Sequence, residues 1–166
     1  MVVWPRELHP TPLVQGNEYV IDPSEELAIL HYNYTNLNQY LEKAQRYARF
    51  EAEDFIKSRK SLTFGQTITK SLNEFISRFF AFEGYKDGIR GVVLSLLQMF
   101  YYFLVYFYYL EIKKYPESED TNISGTVRSF FKEGLFETNF WMIKKNLSKL
   151  SDKIKIKAQN QMLKRS

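Results

Sequence analysis

The sequence predicts a mostly α-helical protein with a short β segment at its N-terminal end. Apolar residues recur at steps of three and four from residue 37 onward, which is the period of an amphipathic helix. The first 35 residues contain Pro5, Pro10 and Pro12, and each proline favours extended backbone at the residue before it. The 166 residues are 45% apolar and 25% charged and include no cysteine, which indicates one folded domain without disulfides or thiolate metal sites.

Residues 1–35 are expected to form strands and turns. Residues 18–21 have the composition of a short strand, and turn residues flank them on both sides. Residues 27–34 alternate in a way that predicts a second strand. His31 would then lie near the end of that strand.

A helical region is predicted over residues 36–114. Asn36 can cap a helix over residues 37–58, and a second apolar stripe runs through residues 68–80. Gly84 follows that stripe and can end the helix in a left-handed conformation.

An exposed loop is predicted over residues 115–125, and a basic helical tail over residues 126–166. A last helix is expected at about 139–163, where apolar residues again recur in steps of three and four. This seam could pack on the chain's own core or on a partner helix, including one from a second copy of the chain.

Positive charge is concentrated at the C-terminal end. Residues 144–166 carry eight cations against the single acid Asp152, so their net charge is +7 while the whole chain carries +4. Such a tail suggests an anionic partner, either membrane phosphates or nucleic acid. The alternative is an ordinary solvated helix end.

The most unusual segment is a hydrophobic helix predicted at about 91–112. Residues 91–110 include no charged residue, and Arg90 and Lys113 with Lys114 bracket them. Twenty helical residues extend about 30 Å, the thickness of the hydrocarbon core of a bilayer. Eight of the ten residues from 100 to 109 are aromatic.

This helix has two different faces. At 100° per residue, one arc is apolar and the other carries tyrosines with Ser95 and Gln98. Unpartnered hydroxyls are costly in hydrocarbon, so a helix lying in the membrane surface is favoured over burial in protein or a true span. The predicted membrane contacts are Phe100, Phe103, Phe107, Tyr109, Lys153, Lys155 and Lys157.

Other chemistry has little support in the sequence. No nucleophile elbow, phosphate loop or dinucleotide motif is present, and neither His9 nor His31 has a histidine near it in sequence. The acids at 51, 53 and 54 are interpreted as the solvent face of a helix. Nucleic-acid binding by the cations and tyrosines of residues 40–49 is not favoured, because an ordinary amphipathic helix explains them equally well.

Three blocks resemble the C-terminal part of family 2 glycosyltransferases, in the branch that includes lipopolysaccharide-core glucosyltransferases. Residues 3–9, VWPRELH, resemble the beginning of this region in that branch, where Val and Trp are followed by His-Glu. Residues 29–34, ILHYNY, with 40–47, YLEKAQRY, resemble a block of the form Ile-x-His-Tyr followed by Tyr-Leu-x-Lys-x-x-Arg-Tyr. Residues 79–88, FFAFEGYKDG, followed by Gly91, resemble Gly-Tyr-x-Asp-Gly-x-x-Gly.

The resemblance implies the C-terminal portion of a GT-A type α/β glycosyltransferase followed by a helical membrane-associating region. Residues 1–35 would be the end of the GT-A-like core. Such enzymes transfer a sugar from a nucleotide-sugar donor to a saccharide or lipid-linked acceptor of the cell envelope, at the cytoplasmic face of the inner membrane. They hold the donor through Mg²⁺ or Mn²⁺ on an Asp-x-Asp motif. That motif is not in this sequence, so the nucleotide-binding half would lie upstream and this chain would be inactive alone.

By the same resemblance, His9 or His31 would supply a metal ligand. Lys43, Arg46 and Tyr47 would lie near the acceptor or its phosphate. Pro10 follows His9 where the branch usually has Glu, so no role is carried over for that carboxylate. The alternative to an enzyme fragment is a non-catalytic helical module that binds membranes.

Overall fold

A computed structural model describes residues 1–4, 11–30, 34–115 and 122–165. These residues form a mostly helical structure, as predicted. The elements in chain order are β1 (Val2–Val3), β2 (Leu13–Val14), α1 (Leu37–Lys57), α2 (Phe64–Ile76), α3 (Ile89–Ile112), α4 (Ile123–Lys144) and α5 (Leu150–Arg165).

The β segment is smaller than the sequence predicts. Strands β1 and β2 pair antiparallel, with Val2 opposite Val14, and all four residues are exposed. Residues 18–21 form no strand, and Glu25–Leu27 is a 3₁₀ turn rather than the start of one. Within the described ranges no neighbouring strand is available to pair with these residues, and an unpaired strand leaves its backbone hydrogen bonds unmade. Residues 31–33 lie outside the described residues.

Helix α1 packs closely against α3 because its contact face consists of small residues. The Asn36 side chain caps α1 by accepting from the backbone N–H of Gln39 at 2.9 Å. Ala44, Ala48 and Ala52 are buried one turn apart, and the last two contact Val105 and Tyr109 of α3. The helix predicted over residues 37–58 is therefore present.

Helix α2 lies between α3 and α4. It begins with a capping box of Thr63 and Gln66 and continues past Ile76 into a π-helical turn, Ser77–Ala81. Leu72, Ile76 and Phe80 form a buried cluster against Phe130 and Trp141 of α4. The second predicted helix is thus confirmed, with its apolar stripe turned toward α4.

The connection between α2 and α3 is tight, and the residues with positive φ are Glu83 (φ 62°) and Gly88 (φ 59°) rather than the predicted Gly84. Gly84 and Gly91 are required for a different reason. A Cβ on Gly91 would overlap the carbonyl oxygen of Gly84, so the two backbones touch. Hydrogen bonds from Lys86 and then Lys145 hold the Glu83 carboxylate and lower its pKa to about 2. Lys145 thereby ties the end of α4 to this connection.

The prediction of a single helix over 139–163 is wrong. Helix α4 ends at Lys144, Asn146 adopts a left-handed conformation (φ 57°), and α5 turns back against α4. Buried Asn139 holds the pair together by donating to the side chains of Gln159 and Asn160, both at 3.0 Å. A polar interior residue with partners on the other helix therefore decides the hairpin.

The predicted loop over 115–125 is only partly described, because residues 116–121 lie outside the described ranges. Its last residues belong to α4, which begins at Ile123. The Asn122 side chain caps this helix by accepting from the N–H of Gly125 at 3.0 Å.

Candidate membrane-facing surface

Helix α3 turns its tyrosine side inward and its apolar side outward. Gly91, Ser95, Val105 and Tyr109 are buried on the inner side. The outer side carries five residues that we call the α3 stripe: Val93, Leu96, Phe100, Phe103 and Phe107. Phe103 is half-buried, and the other four are exposed, with Phe100 at 44% and Phe107 at 46%. The two faces predicted from the sequence are therefore present, and the apolar one faces out.

Hydrogen bonds across the helix interfaces fix this orientation. Tyr101 donates to Oε2 of Glu51 on α1 at 2.7 Å, and Tyr102 donates to Oε1 of Glu74 on α2 at 3.3 Å. Tyr40 of α1 donates to the carbonyl oxygen of Leu97 at 2.8 Å. The hydroxyls of Tyr40, Tyr101 and Tyr102 thus find partners in protein, where an unpaired hydroxyl would be costly.

Burial raises the pKa of each of these three tyrosines. The pKa of Tyr40 is raised to about 12 by desolvation and then by Tyr34, and that of Tyr102 to about 12 by desolvation and then by Glu74. Desolvation followed by the hydrogen bond to Glu51 raises the pKa of Tyr101 further. All three phenols are neutral donors at physiological pH.

Glu51 is therefore not part of a solvent face, contrary to the sequence interpretation. It is half-buried between α1 and α3 as the acceptor for Tyr101. Its position one turn before Phe55 and one turn after Tyr47 was the only sequence signal for burial. Glu53 does face solvent and pairs with Arg49 and Lys57 at 3.6 Å.

Length alone would allow α3 to cross a bilayer. Among the described residues it is the one helix long and apolar enough, with a mean hydropathy of 1.6, and only 17% of that window is buried in the protein. Its neighbours argue against a span. Helices α1 and α2 lie along α3. In a span, the ion pairs of Glu53 on α1 and of Glu74 on α2 with Arg78 in the following π-helical turn would enter hydrocarbon. An orientation with the α3 stripe in the membrane surface keeps these charges in water.

Cations and apolar residues flank the α3 stripe at its ends. Arg90 precedes it and Lys113 with Lys114 follows it, and all three are exposed. Phe82 and Ile89, beside the start of α3, are also largely exposed. Apolar contact flanked by positive charge suits an anionic bilayer surface.

Tyr109 was predicted to contact the membrane, but it lies inside the protein. It is 3% exposed and packs edge-on against Phe55 at 6.4 Å between ring centroids, beside Ala48 and Ala52. It lies about 160° around the helix from Phe107, on the face that α1 and α2 cover. Phe100 and Phe107 retain the predicted exposure.

The predicted tail cations differ among themselves. Lys153 is half-buried and donates to Oδ1 of Asn146 at 2.6 Å, whereas Lys155 and Lys157 are exposed. Helix α5 packs against α4, and α4 packs against α2. The basic tail and the α3 stripe therefore lie on different helices. One partner could contact both only if it presented an extended surface such as a membrane.

The predicted acceptor residues occupy one part of α1. Arg46 is exposed with its guanidinium 5.2 Å from the centre of the Tyr47 ring, and Lys43 is half-buried one turn before Tyr47. His9 and His31 lie outside the described residues. In the ranges that the structure covers, no three His, Asp or Glu side chains converge on a metal site.

Comparisons with protein-family models, curated proteins and solved structures give no match. The glycosyltransferase class therefore stays a prediction from the three resembling blocks. The candidate membrane-facing surface is independent of that prediction, because it depends only on the exposure and pairing described above.

Proposed function

We propose that this chain is the membrane-docking and acceptor-side part of a family 2 glycosyltransferase of cell-envelope synthesis. The α3 stripe would lie in the anionic cytoplasmic surface of the inner membrane as a monotopic contact. The observation that carries the docking proposal is that α3 exposes its apolar side while Tyr101 and Tyr102 on its inner side are hydrogen-bonded to other helices. An amphipathic helix of a soluble globular protein instead buries its apolar side against the core.

Magnitudes favour binding at a lipid surface. Burying an exposed large apolar side chain contributes about 1.5–3 kcal/mol when complete, and the residues of the α3 stripe are about half exposed. Together they offer a few kcal/mol, which is marginal alone. Each cation near an anionic bilayer adds about 1 kcal/mol, so Arg90, Lys114, Lys155 and Lys157 would make the binding stable at low salt. Lys113 is left out of this sum because its ammonium lies over the ring of buried Tyr109, on the inner side of α3.

The catalytic context comes from the resemblance. The second block covers the beginning of α1, and the third covers the tight connection that leads into α3. A nucleotide-sugar donor and a divalent metal would be held by an upstream half. Lys43, Arg46 and Tyr47 would lie near the saccharide or lipid-linked acceptor, and His9 or His31 would reach the metal.

The docking test is sedimentation with anionic liposomes at low salt. The double variant Phe100→Asp with Phe107→Asp should lose at least ten-fold in apparent affinity, because two charges would have to enter the apolar boundary. Ile123→Asp with Phe131→Asp is the matched control, since it adds the same two charges at residues of α4 that are 51% and 68% exposed and lie outside the α3 stripe. Circular dichroism and thermal unfolding check that each variant folds.

Equal sedimentation of the double variant and the wild type would overturn the docking proposal. So would a wild type that is dimeric without lipid and becomes monomeric in the double variant, because a second copy would then cover the α3 stripe. Light scattering after size exclusion measures this outcome.

The transferase proposal has its own test. The product of the complete open reading frame is assayed with a panel of nucleotide sugars and Mn²⁺ against saccharide and lipid-linked acceptors. Sugar transfer supports the enzyme. Liposome binding without transfer or nucleotide-sugar binding would favour the alternative, a non-catalytic membrane-binding module.

A further inference from the structure

A pocket of about 260 Å³ opens between α1, α2 and α3 on the inner side of α3. It lies behind the connection between α1 and α2, away from the α3 stripe. Its floor is apolar and includes Phe55 and buried Val105, with the ring of Tyr102 beside them. Its rim carries Glu51, Gln66 and Lys70.

The rim offers hydrogen-bond acceptors and donors side by side. Tyr101 donates to Oε2 of Glu51, which leaves Oε1 to accept from a ligand. Oε1 of Gln66 accepts from the backbone of Thr63 at 3.0 Å, which leaves the side-chain NH₂ group to donate. The Lys70 ammonium lies 4.8 Å from the centre of the Tyr102 ring and has three N–H groups.

The charge of the rim selects the ligand class. One carboxylate and one ammonium give no net charge, so a free anion would meet the Glu51 carboxylate and a cation would meet Lys70. A single carboxylate is too few ligands for a divalent metal. A neutral ring with several hydroxyls fits, because its hydroxyls both donate and accept while its C–H face can cover the aromatic floor.

We propose that this pocket binds a single saccharide ring. The volume of about 260 Å³ is just below the range of about 300–1,000 Å³ typical of sites for drug-sized ligands, which suits a ligand as small as one monosaccharide unit. This inference deepens the proposed function and rests on it for the biological role, since a saccharide is the acceptor class proposed above. The pocket itself is independent of membrane docking.

The experiment is a ¹H–¹⁵N NMR titration of the lipid-free chain with methyl glucoside and methyl galactoside, with inorganic phosphate as the contrasting probe. We expect shifts of the amides of residues 61–70 and 102–105, with a dissociation constant of about 1–10 mM for one of the glycosides. Lys70→Met and Glu51→Gln should each weaken that binding at least five-fold. Lys149→Met is the control, because Lys149 is exposed in the connection between α4 and α5.

The outcomes separate this inference from the docking proposal. Absence of glycoside shifts, or equal binding by the Lys70→Met and Lys149→Met variants, overturns the saccharide site whatever the liposomes show. Shifts caused by phosphate alone also overturn it. If the wild-type chain binds the glycoside but does not bind liposomes, only the docking proposal is overturned. Lys70 is exposed, so its variant tests the pocket without disturbing the core.

Discussion

Individual tyrosines decide how α3 is oriented. Tyr101 and Tyr102 are neighbours in the sequence, yet each reaches a carboxylate on a different helix, Glu51 on α1 and Glu74 on α2. Moving Tyr101 outward would leave the half-buried Glu51 carboxylate without this donor, whereas Glu74 would keep its ion pair with Arg78 if Tyr102 moved. The hydrophobic effect alone would favour an orientation with the apolar side of α3 buried in the protein. The observed orientation gives up that burial, and the loss is small if lipid or another partner covers the α3 stripe.

These tyrosines make stability depend on pH in the alkaline range. The pKa of Tyr40 and of Tyr102 is about 12 in the folded state against about 10 in the unfolded chain, so the fold binds the proton more tightly. Their contribution is fully present below about pH 10 and is lost as the pH rises through about 12. Urea unfolding across this range measures the loss.

The comparison that isolates this effect uses phenylalanine variants. In Tyr102→Phe the alkaline loss of unfolding free energy should be smaller than in the wild type. Tyr19→Phe is the control, because Tyr19 is 91% exposed. Identical pH profiles for the wild type and Tyr102→Phe would contradict the assignment.

Two buried serines are predicted to respond oppositely to alanine. Ser71 is fully buried, and its hydroxyl finds no hydrogen-bond partner within the described ranges, whereas Ser95 donates to the Gly91 carbonyl oxygen at 2.7 Å. Ser71→Ala removes an unsatisfied group and should raise the free energy of unfolding by about 1 kcal/mol. Ser95→Ala should be neutral or lower it. Denaturant unfolding distinguishes the two variants. A larger loss of unfolding free energy in Ser71→Ala than in Ser95→Ala would refute the unpaired state of the Ser71 hydroxyl.

At the level of elements, small residues set the distances between neighbours. The alanine row of α1 allows its backbone to approach α3, and Gly84 and Gly91 allow the α2–α3 connection to fold back onto the start of α3. Helix propensity would favour alanine over glycine at Gly91, so contact with a neighbouring backbone overrides propensity there.

Gly91→Ala and Gly65→Ala form a matched pair within helices. A Cβ at Gly91 would overlap the Gly84 backbone, whereas one at Gly65 would meet Thr126 at an ordinary 3.9 Å. We expect Gly65→Ala to stabilise the fold by about 0.5–1 kcal/mol through helix propensity. Gly91→Ala should destabilise it by about 1–3 kcal/mol through overpacking. Thermal unfolding checks both values, and a stabilising Gly91→Ala would refute the close approach.

At the scale of the whole molecule, two candidate membrane contacts lie on different helices. The α3 stripe is apolar, and the exposed cations of α5 belong to a tail with a net charge of +7. Apolar contact is nearly independent of salt, whereas attraction between exposed charges weakens beyond a Debye length of about 8–10 Å at physiological salt. The two contributions can therefore be separated by ionic strength.

Charge reversal on α5 should weaken liposome binding only at low salt. Lys155→Glu with Lys157→Glu should reduce the apparent affinity about ten-fold or more on anionic vesicles, and this difference should shrink at high salt. Lys153 is left unchanged because it is bonded to Asn146. The control is Arg59→Glu with Lys60→Glu in the connection between α1 and α2. An equal loss in the control would mean that net charge, rather than the tail, attracts the membrane.

The helix positions could be predicted from the sequence because caps and apolar periods are local. Asn36 and the stripe after it predicted α1 to within one residue of its end. The break at Asn146 could not be predicted, since apolar residues continue across it and the turn depends on Asn139 meeting α5. Burial of Glu51 was also missed, because its partner is 50 residues away.

The sequence by itself determined the first two long helices, the uncharged aromatic segment and the basic end, because each depends on residues that are close in the chain. The tertiary structure alone decided which side of α3 faces outward and that Tyr109 lies inside. Each of those outcomes depends on side chains that α1 and α2 supply to α3 across the bundle. Contacts between distant residues, rather than local pattern, thus create both the α3 stripe and the pocket behind it.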